Sequence, residues 1–432
     1  MNDAALPAKP KAAFITPGFL FATILIVGLF FMWGVANSLN DVLIPQFRKA
    51  FQLDDFASSL VQSAFYFGYF CFAIPASLFM RRFGYRAAVL MGLGLYGAGA
   101  LLFLPAAQAS QYYAFLIALY VIASGLAFLE TSANPLIAVM GPAGTADQRL
   151  NFAQTFNPIG TMMGSYVGGM LIFSDVHYSP EQLQALTPDA FAAFRATELD
   201  SVKLPYVLIA AMVILWAVLV ACAKFPPVDR GRGHDTGEAE GGFGGLGKFP
   251  RYWLGVLAQF AYVGAQVGVW SFLIRYTQHN FPGTLEKDAL RWLPISFGIF
   301  FAGRLIGTLL MSRINPAKLL ASFAAINVAL CLIAVVSGGH VGLTALIASS
   351  FFMSIMFPTI FSMSLRGLGV YTKSGSSFLV MAIIGGAVFT AAMGFISRES
   401  TINLAYIVPA VCFAVVFLFA WKSRRDTVTA IA

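Results

Sequence analysis

Twelve separate stretches of this chain are long and apolar enough to cross a lipid bilayer, and their number constrains the fold more than any single motif. A helix rising 1.5 Å per residue needs about 20 mainly apolar residues to traverse the hydrocarbon. Such stretches fall at 18–47, 56–80, 87–107, 111–140, 150–174, 203–223, 252–278, 291–312, 317–337, 341–365, 375–397 and 402–422. In lipid a backbone satisfies its polar groups only as a helix or a closed barrel, and stretches this long read as helices. The expectation is an all-α membrane protein with 12 transmembrane helices. Composition agrees: 59% of the 432 residues are hydrophobic and 11% charged, against about 25% charged in soluble domains. That is too little charge to clothe a soluble surface. It argues against a soluble enzyme, a disordered chain and a nucleic-acid binder.

Most joining loops are short. The two longer ones are 175–202 and 224–250. The second carries Asp229-Arg230-Gly231-Arg232-Gly233 and Gly241-Gly242-Phe243-Gly244-Gly245, a composition that marks a flexible linker. It divides the chain into an N-terminal six-helix half (1–223), a cytoplasmic linker (224–250) and a C-terminal six-helix half (251–432). The halves carry matching features. Phe67-Gly68 begins a span ending at Met80-Arg81-Arg82, and Phe297-Gly298 begins one ending at Met311-Ser312-Arg313. This agreement suggests a parallel duplication, with Arg81, Arg82 and Arg313 as structural or gating residues at cytoplasmic turns. With the N-terminus inside, 19 of the 27 Lys and Arg fall on the cytoplasmic side. The net charge of +8 then reports orientation, with both termini in the cytoplasm. The apolar run after the polar N-terminus, with its Lys9 and Lys11, is too long for a signal peptide and reads as a retained first span. Cys71, Cys222, Cys331 and Cys412 lie in apolar stretches without metal-ligand spacing and read as small core residues.

Two carboxylates, Asp41 and Glu130, fall well inside spans. A charge in the bilayer costs at least about 2.5–3.5 kcal/mol, so such a residue faces an aqueous cavity or has a partner. Two readings stand: a hydrogen-bonded acid that fixes helix packing, or a group that gains and loses a proton as a carrier. Asp41 lies near the outer end of its span and Glu130 nearer the midplane, an arrangement suited to handing a proton inward in stages. His177, His234, His279 and His340 map to loops or span ends, which argues against a histidine relay. Uncharged polar residues cluster in the same spans: Asn37, Ser38 and Asn40 beside Asp41; Thr131, Ser132 and Asn134 after Glu130; Gln154 and Asn157, three apart on one helix face; and Gln259, Tyr262, Gln266 and Trp270 along another. Amides offer the donors and acceptors that sugar hydroxyls require, and Trp can lie against a pyranose face. Interhelical hydrogen bonding is the competing explanation. Pro135 and Pro358, and likewise Gly160 and Gly385-Gly386, recur in corresponding spans and suit either bending or close packing. Arg304, deep in the eighth span, is expected to snorkel to the inner surface or to belong to a cytoplasmic gate.

Several strings carry a resemblance: Asn37-Ser38-Leu39-Asn40-Asp41, Leu129-Glu130-Thr131-Ser132-Ala133-Asn134-Pro135, Ala153-Gln154-Thr155-Phe156-Asn157, Tyr262-Val263-Gly264-Ala265-Gln266, Trp270-Ser271-Phe272-Leu273-Ile274-Arg275-Tyr276 and Pro358-Thr359-Ile360-Phe361-Ser362. They resemble the bacterial L-fucose–proton symporters of the major facilitator superfamily. The resemblance implies 12 helices in two pseudo-symmetric halves and inward sugar transport driven by protons, with no cofactor. Asp41 and Glu130 match that family's membrane carboxylates. Asn37, Gln154 and Asn157 match polar cavity positions, and Gln266 and Trp270 match the fucose branch. The expected partners are a small sugar, protons and the lipid bilayer, for a monomer in a bacterial inner membrane. Two positions depart: Ser38 stands for an asparagine, and Met356-Phe357 for a Gln-Tyr pair. Glucose, galactose or N-acetylglucosamine carriage by the same fold is the nearest alternative. A proton-coupled exporter of amphiphiles and a sugar sensor that does not transport are the others. An enzyme is not expected, since no nucleophile–base set is visible.

Overall fold

The computed structural model describes residues 14–53, 55–172, 182, 186–225, 241–284, 288–289 and 291–424. Lys9, Lys11, His177, His234, most of 175–185 and the run Asp229–Gly233 lie outside the described residues. The helices are α1 (Leu20–Phe51), α2 (Asp55–Ala109), α3 (Tyr112–Val139), α4 (Ala146–Gln154), α5 (Phe156–Ile172), α6 (Pro188–Asp200), α7 (Lys203–Cys222), α8 (Pro250–Asn280), α9 (Trp292–Leu310), α10 (Pro316–Ser337), α11 (Gly339–Met353), α12 (Met356–Leu365), α13 (Thr372–Met381), α14 (Gly385–Glu399), α15 (Ile402–Ala405) and α16 (Ile407–Ser423).

Ten helical stretches among the described residues are long and apolar enough to cross a membrane. One of them, Leu60–Ala109, has 50 residues, about twice what a bilayer accommodates. It is two passes folded back at Gly84, whose φ of 85° breaks the helix. The antiparallel return is fixed at the far end, where the Tyr112 hydroxyl donates to the carbonyl of Ala57 at 2.6 Å. A further pass is divided at Thr155 into α4 and α5, each too short to count alone. Twelve passes result.

Four spans expected to be continuous are interrupted among the described residues. Thr155 separates α4 from α5, Ser354 and Ile355 separate α11 from α12, a short 3₁₀ turn, Ala382–Ile384, separates α13 from α14, and Tyr406 separates α15 from α16. Pro158 and Pro358 follow the first two breaks, as expected of residues without an N–H. Pro135, by contrast, sits inside an unbroken α3. The glycine run expected to be loose is partly ordered: Phe243–Lys248 forms a 3₁₀ turn. A Cβ at Gly241 or Gly245 would lie 2.2 or 2.1 Å from the Tyr371 ring. Glycine there serves docking against the C-terminal helices. The cysteines also divide: Cys331 and Cys412 are buried, Cys71 is half-buried and Cys222 is exposed. The last two correct the expectation that all four are core residues.

Close helix contacts come from small residues, which let backbones approach in the absence of a hydrophobic drive. Gly160, Gly164 and Gly168 line α5 against α1, where a Cβ at Gly160 would sit 2.0 Å from the Phe31 carbonyl oxygen. From the other side, a Cβ at Gly34 would sit 2.0 Å from the Asn157 carbonyl oxygen. The same device recurs between α8 and α14, where a Cβ at Gly385 would meet the Phe260 carbonyl oxygen at 2.1 Å. These are the first and fifth spans and, in the second set, the first and fifth again. Gly94 has nothing within 4 Å of its Cβ position. Gly160→Ala should therefore destabilise the purified protein by about 1–3 kcal/mol. Gly94→Ala, in an open helical position, should be neutral or stabilise by about 0.5–1 kcal/mol. Thermal melts of the two variants in one detergent check the difference in sign.

Candidate functional site

A cavity of about 480 Å³ lies between the N-terminal and C-terminal helices. Its walls follow from helical periodicity. The first span contributes Phe30, Trp33, Asn37 and Asp41; the second, Gln62, Phe65, Tyr66 and Tyr69; the fifth, Gln154, Asn157, Pro158 and Thr161. The eighth contributes Leu293, Phe297, Phe300 and Arg304. Each set repeats at three or four residues and so forms one face. Along α8 the cavity stripe is Val263, Gln266, Val267 and Trp270. Gln259 and Tyr262, expected on that stripe, are instead buried beneath it, and Tyr262 donates to the Met353 carbonyl at 3.0 Å.

The cavity brings together Asn37, Asp41, Glu130, Gln154, Asn157, Gln266, Trp270 and Arg304. The two acids have different settings. Asp41 is solvent-exposed and accepts a hydrogen bond from Gln62 Nε2 at 2.6 Å. Gln62 Oε1 in turn accepts from Asn40 at 3.0 Å. Glu130 is 0% exposed, and among the described residues neither carboxyl oxygen has a hydrogen-bond partner. Asn134, one turn further along α3, also has an unpartnered amide nitrogen, and the nearby Tyr69 hydroxyl is unpartnered too. Asn134 Oδ1 accepts from Gln154 Nε2 at 3.1 Å. Asn157 donates to the Phe30 carbonyl at 3.3 Å. Trp270 Nε1 donates to Ser350 Oγ at 3.1 Å, and its ring meets Phe297 and Phe300 edge-on.

One end of the cavity is sealed by bonds between the N-terminal and C-terminal helices. Arg304 Nη1 donates to the Gln154 carbonyl at 2.7 Å. Gln148 donates to the Thr308 carbonyl at 3.3 Å and Asn151 to Thr359 Oγ1 at 3.1 Å. Ser77 donates to the Lys373 carbonyl at 2.7 Å, and Arg366 pairs with the buried Asp147. Apolar packing continues across the same end, where Phe361, Leu365 and Leu379 join the core of the N-terminal helices. The described ends of the chain lie here too: Arg149 donates to the Phe14 carbonyl at 3.2 Å, and Arg251 to Ser423 Oγ at 3.2 Å. Among the described residues the other end is open at Asp41, which is exposed.

The sequence profile described as Major Facilitator Superfamily matches residues 24–381. The chain belongs to the major facilitator superfamily. It is 45% identical over 426 residues to the L-fucose-proton symporter of Escherichia coli (strain K12), covering 98% of this chain and 97% of that one. It is 36% identical over 403 residues to a glucose/galactose transporter of Brucella abortus biovar 1 (strain 9-941), covering 92% and 93%. A crystal structure of the superfamily transporter FucP in the outward conformation superposes with a TM-score of 0.87 at 45% identity, covering 94% of this chain and 99% of that one. The fold is therefore the superfamily's, and the relatives are transporters rather than enzymes.

Of the two expectations for Arg304, snorkelling fails: it is 3% exposed and turned into the molecule, not toward the surface. Its guanidinium lies 4.5 Å from the Phe300 ring centroid, so a cation–π contact adds to its hydrogen bonds. Arg82 and Arg313 are exposed, with no bond across the sealed end among the described residues. The side chains bonding across the sealed end that sequence reasoning missed are Ser77, Asp147, Gln148, Asn151, Thr359 and Arg366. Gln62 was missed as the partner of Asp41; a glutamine inside an apolar span was the available signal. Gln62→Leu strips Asp41 of its donor and Asn40 of its acceptor. It should cost about 1–3 kcal/mol of stability, whereas Gln62→Glu should restore the acceptor for Asn40 but repel Asp41. Melting curves of the two variants test this order.

Proposed function

We propose that this chain is a proton-coupled symporter that imports L-fucose, or a hexose close to it, by alternating access. Glu130 carries the reading: a fully buried carboxyl with two unpartnered oxygens, in a cavity lined by amides and aromatic rings. An unpaired buried carboxylate is costly, and taking up a proton removes the cost. Proton uptake thereby favours closing the cavity over a bound sugar, and the coupling follows because the two protonation states prefer different conformations. Asp41, exposed at the open end, takes protons in the outer part of the pathway. Asn37, Gln154, Asn157 and Gln266 supply donors and acceptors to sugar hydroxyls, and Trp270 supplies a ring face. Arg304 and the contacts around it close the inner gate, with Arg81, Arg82 and Arg313 at the flanking turns.

The halves that rock are 1–223 and 251–432, joined by a cytoplasmic linker at 224–250. Both termini lie in the cytoplasm of a bacterial inner membrane, so the sealed end faces inward and the cavity opens outward. The protein works as a monomer without a cofactor. Substrate choice rests on the similarity to the E. coli L-fucose-proton symporter. The relation to a glucose/galactose transporter and the apolar Met356-Phe357 pair make hexose choice the point to measure.

In energy-depleted cells expressing the protein, L-fucose should alkalinise the medium, and a competition panel should rank it above galactose, glucose and N-acetylglucosamine. In proteoliposomes with an imposed proton gradient, Glu130→Gln should abolish uphill accumulation while leaving downhill exchange. Uphill accumulation by that variant would remove Glu130 from the coupling role. A panel led by another sugar would reassign the substrate while leaving the coupling intact.

A further inference from the structure

In an α-helix each carbonyl accepts from the N–H four residues on, and proline has no N–H to give. Pro158 therefore leaves the carbonyl of Gln154 without its helical donor, and Pro358 does the same to Ser354. Both carbonyls face the same side chain. Arg304 Nη1 donates to the Gln154 carbonyl at 2.7 Å, and Arg304 Nε donates to the Ser354 carbonyl at 2.6 Å. One carbonyl belongs to the N-terminal helices and the other to the C-terminal ones. The approach is built in: Gly303 precedes Arg304, and a Cβ there would lie 2.5 Å from the Phe351 carbonyl oxygen and 2.9 Å from Ser354 Oγ.

We infer that Arg304 is a latch, a positioning residue that holds the sealed end closed by answering two carbonyls orphaned by prolines on opposite sides of the cavity. The guanidinium suits this because its planar fork presents several donors at fixed angles, which an ammonium does not. The two bonds are not equivalent. The one to Ser354 stays within the C-terminal helices and fixes the side chain; the one to Gln154 crosses the interface and must break when the end opens. Gln154 is also the donor to Asn134 beside Glu130, so the latch ends on the residue next to the buried acid.

The inference rests on the alternating-access reading, and cysteine labelling in liposomes separates the two. In a background with the four native cysteines replaced by alanine, Ser77→Cys reports the sealed end and Ser271→Cys the open end. Arg304→Gln should raise maleimide labelling at position 77 about tenfold and lower it at 271. Arg304→Lys should shift the ratio in the same direction by less. Pro158→Ala and Pro358→Ala each return a helical N–H to a carbonyl that Arg304 holds, so each should shift the ratio the same way. Neither should add to Arg304→Gln. If the arginine variants do not fold, the proline variants, which keep Arg304, decide alone. Labelling that rises at both positions together, proline variants that leave the ratio unchanged, or effects that simply add would overturn the latch. In the variant pair with Arg304 and both prolines intact, L-fucose should itself move the ratio toward position 77. If it does not, while the Arg304 and proline variants do, the latch stands and the substrate assignment falls.

Discussion

Inside a bilayer no water is at hand to answer a free carbonyl, so every break in a spanning helix has to be answered by the protein or by a cavity. Much of this structure follows from that constraint. The breaks at Thr155 and at Ser354–Ile355 border the cavity and its sealed floor. The Met353 carbonyl is taken by Tyr262, and the Gln154 and Ser354 carbonyls by Arg304. The cost of burying the guanidinium is offset by the same bonds, together with the ring of Phe300. A cation that looked anomalous in the eighth span thus belongs with two prolines in other spans.

The legible part of the fold was the part set by one-dimensional periodicity. Span length gave the number of passes, and the three- and four-residue spacing of Asn37 and Asp41, or of Gln154 and Asn157, placed each pair on one wall. The illegible part depended on which helices meet. Tyr262 and Gln266 share an α8 face by spacing, yet packing against α11 claims Tyr262 and leaves Gln266 to the cavity. Pro135 and Pro358 look alike in sequence, but only the second lies at a broken helix. Asp147 and Arg366 are 219 residues apart, and nothing local in either segment announces their pairing.

Native interiors satisfy most of their polar atoms, and groups left over call for a reason. Around the cavity Asn40 Oδ1, the Tyr69 hydroxyl, Asn134 Nδ2 and both oxygens of Glu130 have no hydrogen-bond partner among the described residues. Their gathering at one site, rather than their number, is the point. Gln259 is different. It is buried beneath α8's cavity face with both amide atoms unpartnered, and the structure offers no account of it.

The contrast between contacts within and across the two helix sets bears on how such a molecule can move. Within each set, glycines bring backbone against backbone, as Gly160 does on Phe31 and Gly385 on Phe260. Those contacts have no alternative register without a clash. Across the sets, the sealed end relies on side-chain donors and on the ion pair between Arg366 and Asp147. Each such bond contributes on net only about 0.5–1.5 kcal/mol, or about 1.5–3 when charged. These values are small because water solvates the groups once they separate. A two-state carrier needs its alternatives within a few kcal/mol of each other. Seams that cannot slip, combined with an interface whose bonds can be exchanged for water, supply that balance. The motion they permit is one of rigid helix sets turning about the cavity.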